Sequence, residues 1–158
     1  MSVVFLDIDG VLNSDAWFNR YPTQSKWNLD PVLVARVNSL IETANASVVI
    51  SSGWRVRMKP QHLIDLLEKQ GLLPGRIDRI AGMTPRLFDK GCQGAPRGIE
   101  IAAWWERALN GREVEQTEKF VILDDQDDMG KLIPFLVQTN GEIGITDADV
   151  DRAISMLT

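Results

Sequence analysis

The sequence predicts a three-layer α/β fold in which helices cover both faces of a five-stranded, mainly parallel sheet. Short apolar runs alternate with segments of helical period along the chain, which is the order typical of this class. Three of the runs lead into polar side chains, at Asp7, Ser51 and Asp124. Because right-handed crossovers bring the carboxyl ends of parallel strands to one edge, where ligands bind, we expect a functional site there.

The first strand and the first helix are indicated by local sequence signals. Val3–Leu6 is a β-branched and aromatic run, typical of a strand that is buried on both faces. Residues 14–29 show no clean period and are predicted to form a loop. Asp30 followed by Pro31 predicts a helix start, because an N-cap is followed there by proline in the first turn.

The middle of the chain continues the alternation of strands and helices. Val48–Ile50 is predicted to be the second strand, directly before two serines. Pro60 opens a helix that we expect to stop at Gly71, since glycine is the usual residue just past a helix end. Residues 77–80, with the sequence IDRI, predict a third and weaker strand.

The last part of the chain adds two strands and two helices. A helix is predicted over Arg97–Leu109, with its end near Gly111. Lys119–Leu123 and Phe135–Gln138 are the fourth and fifth predicted strands. Thr146 then caps a final helix.

Composition excludes several classes of protein. No apolar run approaches the length of a bilayer span, and the first one leads into Asp7, so neither a membrane segment nor a signal peptide is expected. The single cysteine cannot form an internal disulfide, which fits the cytoplasm. A net charge of −5 disfavours non-specific nucleic-acid binding. We expect one cytoplasmic domain over residues 1–158.

The carboxylates at the strand ends indicate a metal site. Side chains alternate along a strand, so Asp7 and Asp9 are predicted to point the same way. Gly10 after them permits a turn whose backbone amides form a nest for an anion. Together with Asp124 and Asp125, these acids would repel one another strongly unless a cation lay between them. Mg²⁺, which prefers carboxylate, water and phosphate oxygens, is the predicted cofactor.

Five segments together carry a resemblance to a known superfamily. FLDIDGVLN, VVISSGWR, RGIEIAAWW, FVILDD and GITDADVDRAISML resemble the haloacid dehalogenase-like (HAD) phosphohydrolases. Within that superfamily they are similar to a small bacterial family related to the phosphatase-like domains of RNA-repair proteins. The resemblance covers nearly the whole chain, and it implies a Rossmann-like domain with Mg²⁺-dependent phosphatase activity.

The resemblance implies catalytic roles for four residues. Asp7 looks like the nucleophile that forms an aspartyl-phosphate. Asp9 resembles the general acid and base, and its backbone carbonyl would also bind the metal. Ser51 matches the hydroxyl that contacts the phosphoryl group, with Ser52 as the next candidate. Arg97 stands where the superfamily commonly has lysine, and Lys90 is a less well placed alternative.

Further residues are assigned to the metal and to the substrate. Besides Asp7 and Asp9, the implied metal ligands include Asp124 or Asp125 directly and Asp128 through water, whereas Asp127 is expected to be solvated. The assigned substrate-binding residues are Gly10, Ser52, Gly53 and Arg55. Two interpretations of Arg55 and the nearby Arg57 have equal weight. Their side chains either contact a second phosphate or lie in a solvated loop.

The remaining aromatic and nucleophilic side chains receive simpler interpretations. Trp54 could stack on a base or ring, but packing against a neighbouring helix is favoured. Trp17 and Trp27, in the first loop, are the aromatic candidates for substrate contact. A structural role is favoured for His62, and Cys92 is interpreted as a loop thiol without a catalytic partner.

The spacing of the motifs leaves no room for a full cap domain, so we expect an essentially capless enzyme. An open site favours a large phosphorylated substrate that itself excludes water, such as a phosphorylated nucleic-acid end. Two alternatives belong to other classes of protein. One is a receiver-type signalling module, whose usual motif order differs, and the other is a catalytically silent phosphate-binding domain. The oligomeric state is left open.

Overall fold

The computed structural model describes residues 2–88, 91, 93–110 and 118–158. Its centre is one parallel sheet of five strands in the order β3-β2-β1-β4-β5. The strands are β1 Ser2–Leu6, β2 Ser47–Ile50, β3 Ile80–Met83, β4 Lys119–Asp124 and β5 Leu136–Gln138. The predicted α/β class with a parallel five-stranded sheet is therefore confirmed.

Helices cover both faces of this sheet. The α-helices are α1 Asp15–Arg20, α2 Pro31–Thr43, α3 Pro60–Lys69, α4 Arg97–Leu109 and α5 Asp147–Leu157. Buried side chains of α2, α3 and α5 form a core with one face of the sheet, and those of α4 form a second core with the other. None of the helices described here has the length and apolar character needed to cross a membrane.

Strand β1 explains why the sheet is buried on both sides. Val4 and Leu6 belong to the core under α2, α3 and α5, whereas Val3 and Phe5 belong to the core under α4. This is the alternation expected of a strand, with apolar side chains toward both faces. Since β1 is the central strand, the residue that follows Leu6 reaches the middle of the carboxyl edge.

The helix starts that were predicted from capping residues are confirmed. The Asp30 side chain accepts a hydrogen bond from the backbone N–H of Val32 at 2.9 Å, and Pro31 begins α2. At α5, Thr146 and Asp149 form a reciprocal capping box. Helix α4 ends at Asn110, whose φ of +49° provides a left-handed cap. The predicted stop, Gly111, lies outside the described residues.

The structure differs from the predicted elements in three places. The loop predicted over 14–29 begins with the short helix α1, which buries none of its residues and so left no apolar period to recognise. Ile77–Arg79 forms a 3₁₀ turn, and β3 begins at Ile80. The three-residue spacing of the isoleucines in IDRI fits that turn. A second 3₁₀ turn, Gly130–Phe135, takes Phe135 out of β5.

Candidate active site

The carboxyl ends of the three central strands bring the predicted polar residues together. Leu6 pairs with Ile50 of β2 and with Leu123 of β4, so the residues after these three positions lie side by side. The backbone N–H of Asp7 continues the ladder by donating to the Leu123 carbonyl at 2.9 Å. Asp7 is consequently fixed between the serines that follow β2 and Asp124 at the end of β4.

Three carboxylates form a compact group at this edge. Oxygen atoms of Asp7, Asp124 and Asp125 lie within 4.8 Å of one another. Asp7 is 6% exposed and Asp124 is 1% exposed, so two of these acids are almost completely withdrawn from water. A negative charge is costly in such surroundings unless an opposite charge accompanies it.

Burial perturbs the acidity of two members of this group. Burial raises the pKa of Asp7 to about 6, against opposing effects from the Arg97 charge and from hydrogen bonds with the Ile8 backbone and the Ser52 side chain. Burial, reinforced by the charge of Asp7, raises the pKa of Asp124 to about 8. Both pKa values are raised because the positive charge of Arg97 does not fully offset the burial of these carboxylates.

Asp124 has an oxygen that lacks a partner. Its Oδ1 accepts a hydrogen bond from the backbone N–H of Gln126 at 2.9 Å. Its Oδ2 is the one buried side-chain polar atom of the described residues that has no hydrogen-bond partner. The nearest cation is Arg97, whose Nε lies 3.6 Å away. An unpartnered oxygen beside two other carboxylates fits a divalent cation such as Mg²⁺, which accepts oxygen ligands.

Gly10 permits the close approach of Asp125 to this group. Its φ is +77°, and a Cβ at this position would lie 2.5 Å from Oδ2 of Asp125. Any other residue would therefore displace Asp125, which is a direct reason for glycine here. The Gly10 amide donates to Oδ1 of Asn13 at 3.1 Å. Substrate binding by Gly10 stays a prediction, and in this structure its amide is bonded to Asn13.

Asp9 lies apart from the three carboxylates. A turn begins at Ile8, whose carbonyl accepts hydrogen bonds from Val11 and Leu12, so strand alternation does not extend to Asp9. The predicted common direction of Asp7 and Asp9 rested on that alternation. Both side-chain oxygens of Asp9 accept hydrogen bonds, each at 2.9 Å. The donors are Nδ2 of Asn13 and Nε1 of Trp54.

The sequence favoured packing of Trp54 against a helix over stacking on a base, and its contact with Asp9 was missed. The side chain is buried, at 3% exposure, and it also packs edge-on against Trp27. One sequence signal could have indicated this contact, because Trp54 follows Ser52 by only two residues. Trp54 lies in the 3₁₀ turn Gly53–Val56. That turn begins at the same sheet edge as the acids, and Ser52 caps it by accepting from the Trp54 N–H.

The two serines after β2 have different partners. The Ser52 side chain is completely buried, and its hydroxyl lies close enough to Asp7 to lower the pKa of that carboxyl. The Ser51 hydroxyl instead accepts from the Thr84 hydroxyl at 3.4 Å. Of the two predicted candidates, the structure brings the second choice, Ser52, into contact with the presumed nucleophile.

Arg97 connects two strand ends. It is the first residue of α4, and its guanidinium contacts both the Ser51 carbonyl and the carboxylate of Asp124. Its positive charge also lowers the pKa of Asp7, so the guanidinium lies close to that carboxylate. Lys90 and Cys92 lie outside the described residues.

Asp128 does not join the carboxylate group. Its Oδ2 accepts a hydrogen bond from the Arg97 backbone N–H at 3.0 Å, so it caps the start of α4. The water-mediated metal role of Asp128 stays a prediction. Asp127 is exposed, in agreement with the solvated position expected for it.

Arg55 also has a role different from the predicted one. Its side chain is 7% exposed and forms a buried ion pair with Glu100 of α4. Its guanidinium also donates to the carbonyls of Ser52, Thr84 and Pro85. Neither substrate binding nor a solvated loop describes this position, because Arg55 joins the segment after β2 to α4.

The two tryptophans predicted to contact substrate separate in the structure. Trp27 lines a cleft that also contains Asp9, Gly53 and Trp54. Trp17 lines a different cavity, which Asp9 does not reach. The structure therefore leaves Trp27 as the aromatic candidate near Asp9.

His62 lies in α3 and outside the carboxylate group.

Comparison with known proteins gives one match. The model of a family described as the HAD domain in Swiss Army Knife RNA repair proteins matches residues 3–150. No curated protein and no solved structure matches the chain.

Proposed function

Because the chain belongs to the family of HAD domains in Swiss Army Knife RNA repair proteins, we propose that it is a Mg²⁺-dependent phosphomonoesterase acting through a phosphorylated aspartate. Membership of this family indicates a phosphatase-type hydrolase. The observation that carries the finer proposal is the buried group of Asp7, Asp124 and Asp125, with one unpartnered oxygen and with Asp9 held outside it.

Asp7 is the proposed nucleophile. One of its carboxylate oxygens attacks phosphorus, a new P–O bond forms, and the bond from phosphorus to the leaving oxygen breaks. Asp9 donates its proton to that leaving oxygen, so the alcohol departs neutral. The hydrogen bonds from Asn13 and Trp54 hold the Asp9 carboxyl in place for this transfer.

In the second step Asp9 acts as the general base, and the Asp7 oxygen is the leaving group. Asp9, now ionised, takes a proton from a water molecule, whose oxygen attacks phosphorus. The bond between phosphorus and the Asp7 oxygen breaks, inorganic phosphate is released, and both aspartates return to their starting states. Arg97 and Ser52 lie beside Asp7 and would stabilise negative charge on the phosphoryl oxygens.

The residues present suit a divalent cation. Asp7, Asp124 and Asp125 would hold Mg²⁺, with the Asp9 backbone carbonyl as the further ligand that the resemblance implies. When bound, Mg²⁺ supplies the positive charge that offsets these carboxylates and the phosphoryl oxygens.

A large phosphorylated substrate, such as the phosphorylated end of a nucleic acid, is proposed. Between the first and third motifs the described residues form α1, α2, α3, β2, β3 and short turns, and these leave the acids without a covering domain. The family's description as a domain of RNA repair proteins also favours a nucleic-acid end.

The strand order argues against the receiver-type alternative. The order observed here is 3-2-1-4-5, whereas receiver domains have the order 2-1-3-4-5. In addition, the presumed phospho-acceptor follows the first strand. Long-lived phosphorylation by a small phosphodonor without turnover would support the signalling module nevertheless.

The test is a panel of phosphate monoesters assayed with Mg²⁺ and with a chelator. The panel includes an aryl phosphate and oligonucleotides that carry a 3′- or a 5′-phosphate. We expect Mg²⁺-dependent release of phosphate by the wild type and none by Asp7→Asn, with exposed Asp127→Asn as the matched control. Failure of the wild type to hydrolyse every ester in the presence of Mg²⁺ would refute the proposal.

A further inference from the structure

A cleft of about 330 Å³ opens beside Asp9. Aromatic side chains and two basic side chains line it together with Asp9. They are Phe18, Lys26, Trp27, Trp54 and Arg57. No residue of the carboxylate group lines this cleft, and Asp9 connects the cleft to the site.

We propose that this cleft binds the leaving group of the substrate and selects a nucleotide-like one, with a planar base and a second phosphate. The inference rests on the proposed phosphatase function and deepens it, because it names the residues that would distinguish one phosphate ester from another. Trp27, Lys26 and Arg57 are the proposed specificity residues.

The position of Asp9 determines which part of the substrate enters the cleft. A general acid must reach the oxygen that departs, so the leaving group lies on the Asp9 side of phosphorus. Trp54 donates to Asp9 through Nε1, and the same indole forms part of the cleft wall. The group attached to the departing oxygen is thereby directed into the cleft.

The aromatic wall suits a planar ring. The rings of Trp27 and Trp54 meet at 85° with their centroids 5.0 Å apart, so the buried Trp54 fixes the orientation of Trp27. Trp27 is half-buried, and the Lys26 ammonium lies over its ring at 4.8 Å. A base can stack on such a fixed indole, with Lys26 moving aside toward the ligand.

The charge of the cleft suits an anion. Lys26 and Arg57 are exposed, and neither forms an ion pair with an acid among the described residues. Two unneutralised cations in a chain of net charge −5 favour a ligand that carries phosphate in addition to the scissile one.

The test compares kcat/KM for four substrates. They are an alkyl phosphate without a ring, a nucleoside monophosphate, a nucleoside 3′,5′-bisphosphate and a short phosphorylated oligonucleotide. The last two separate a free nucleotide from a strand end as the source of the second phosphate. Arg57→Gln and Lys26→Gln are compared with Arg152→Gln and Lys69→Gln, which change exposed cations on α5 and α3.

We expect Arg57→Gln and Lys26→Gln each to lower kcat/KM for substrates with a second phosphate by about 5- to 10-fold. The value for the alkyl phosphate should stay within about 2-fold, because that ester does not reach these cations. Trp27→Leu should lower kcat/KM by about 5- to 10-fold for each nucleotide substrate. Trp27→Phe should retain most of it, which distinguishes lost stacking from a folding defect.

Equal losses on all four substrates, or no loss on any, would overturn the specificity role while leaving the phosphatase function intact. A wild type that hydrolyses the alkyl phosphate as well as the oligonucleotide would also overturn it. Complete absence of turnover is a different result, since it removes the proposed function and this subsite with it.

Discussion

Replacing Asp124 by asparagine tests whether the buried carboxylate group is destabilising without a cation. Asp124 is 1% exposed, and its folded-state pKa is raised from 3.8 to about 8. The folded protein therefore holds a proton that the unfolded chain releases near pH 4. The contribution of Asp124 to the free energy of unfolding is fully present below the pKa of the unfolded state. It is lost as the pH rises toward the pKa of the folded state.

The size of the effect follows from the pKa difference. Each pH unit between the two values is worth about 1.4 kcal/mol, so raising the pH from about 4 to about 7 removes on the order of 4 kcal/mol from the free energy of unfolding. Asp7 acts in the same direction up to about pH 6. Since domains are stable by about 5–15 kcal/mol, the change is readily measured.

The assay is urea unfolding of wild type and Asp124→Asn across this pH range in a chelator, with exposed Asp151→Asn as the control. Asparagine retains an acceptor for the Gln126 N–H but cannot ionise. We expect the variant to be the more stable protein near neutral pH, with a weaker pH dependence. Added Mg²⁺ should stabilise the wild type more than the variant. Parallel pH profiles for wild type and variant would refute the reasoning.

Two further predictions concern side chains that contact the presumed catalytic aspartates. Trp54→Phe removes the N–H that donates to Asp9 but keeps an aromatic ring. The kcat for alkyl phosphates should therefore fall about 10-fold. The kcat for nitrophenyl phosphate should be nearly unchanged, because its leaving group needs little protonation. Trp105→Phe, on the opposite core, is the control, and equal losses on both substrates would indicate mere structural damage. Ser52→Ala should lower kcat by about 10-fold or more, and Ser51→Ala by only a few-fold, because the Ser52 hydroxyl contacts Asp7. Steady-state kinetics checks this order, and the reverse order would contradict it.

The sequence was sufficient for the three central strands and for the convergence of Asp7 and Asp124. Strands β1, β2 and β4 each contain an uninterrupted apolar run with polar residues only at the strand ends, so these strands follow from composition alone. Because these strands are parallel, Asp7 and Asp124 lie at the same edge of the sheet, regardless of the conformation of the loops. Helix α1 could not be predicted in this way, because a six-residue helix without buried residues has no apolar face.

Side-chain partners were harder to predict because they depend on distant segments. Arg55 pairs with Glu100, and the two are far apart in the chain, so neither a phosphate-binding nor a solvated position was correct. The hydrogen bond between Asp128 and the Arg97 backbone could not be predicted, because the acidic neighbours of Asp128 gave no sign that it contacts the start of α4. The order of preference between Ser51 and Ser52 depended on side-chain directions at the end of β2, which motif spacing does not specify.

The most direct test of the central claim is a crystal structure of the protein with Mg²⁺ and beryllofluoride, an analogue of a phosphoryl group. We expect beryllium bonded to a carboxylate oxygen of Asp7 and one metal ion contacting Asp7 and Asp124. Asp9 should keep its contact with Trp54 and face the open side of the analogue. Beryllofluoride on another residue, or a metal ion bound away from Asp124, would contradict the account.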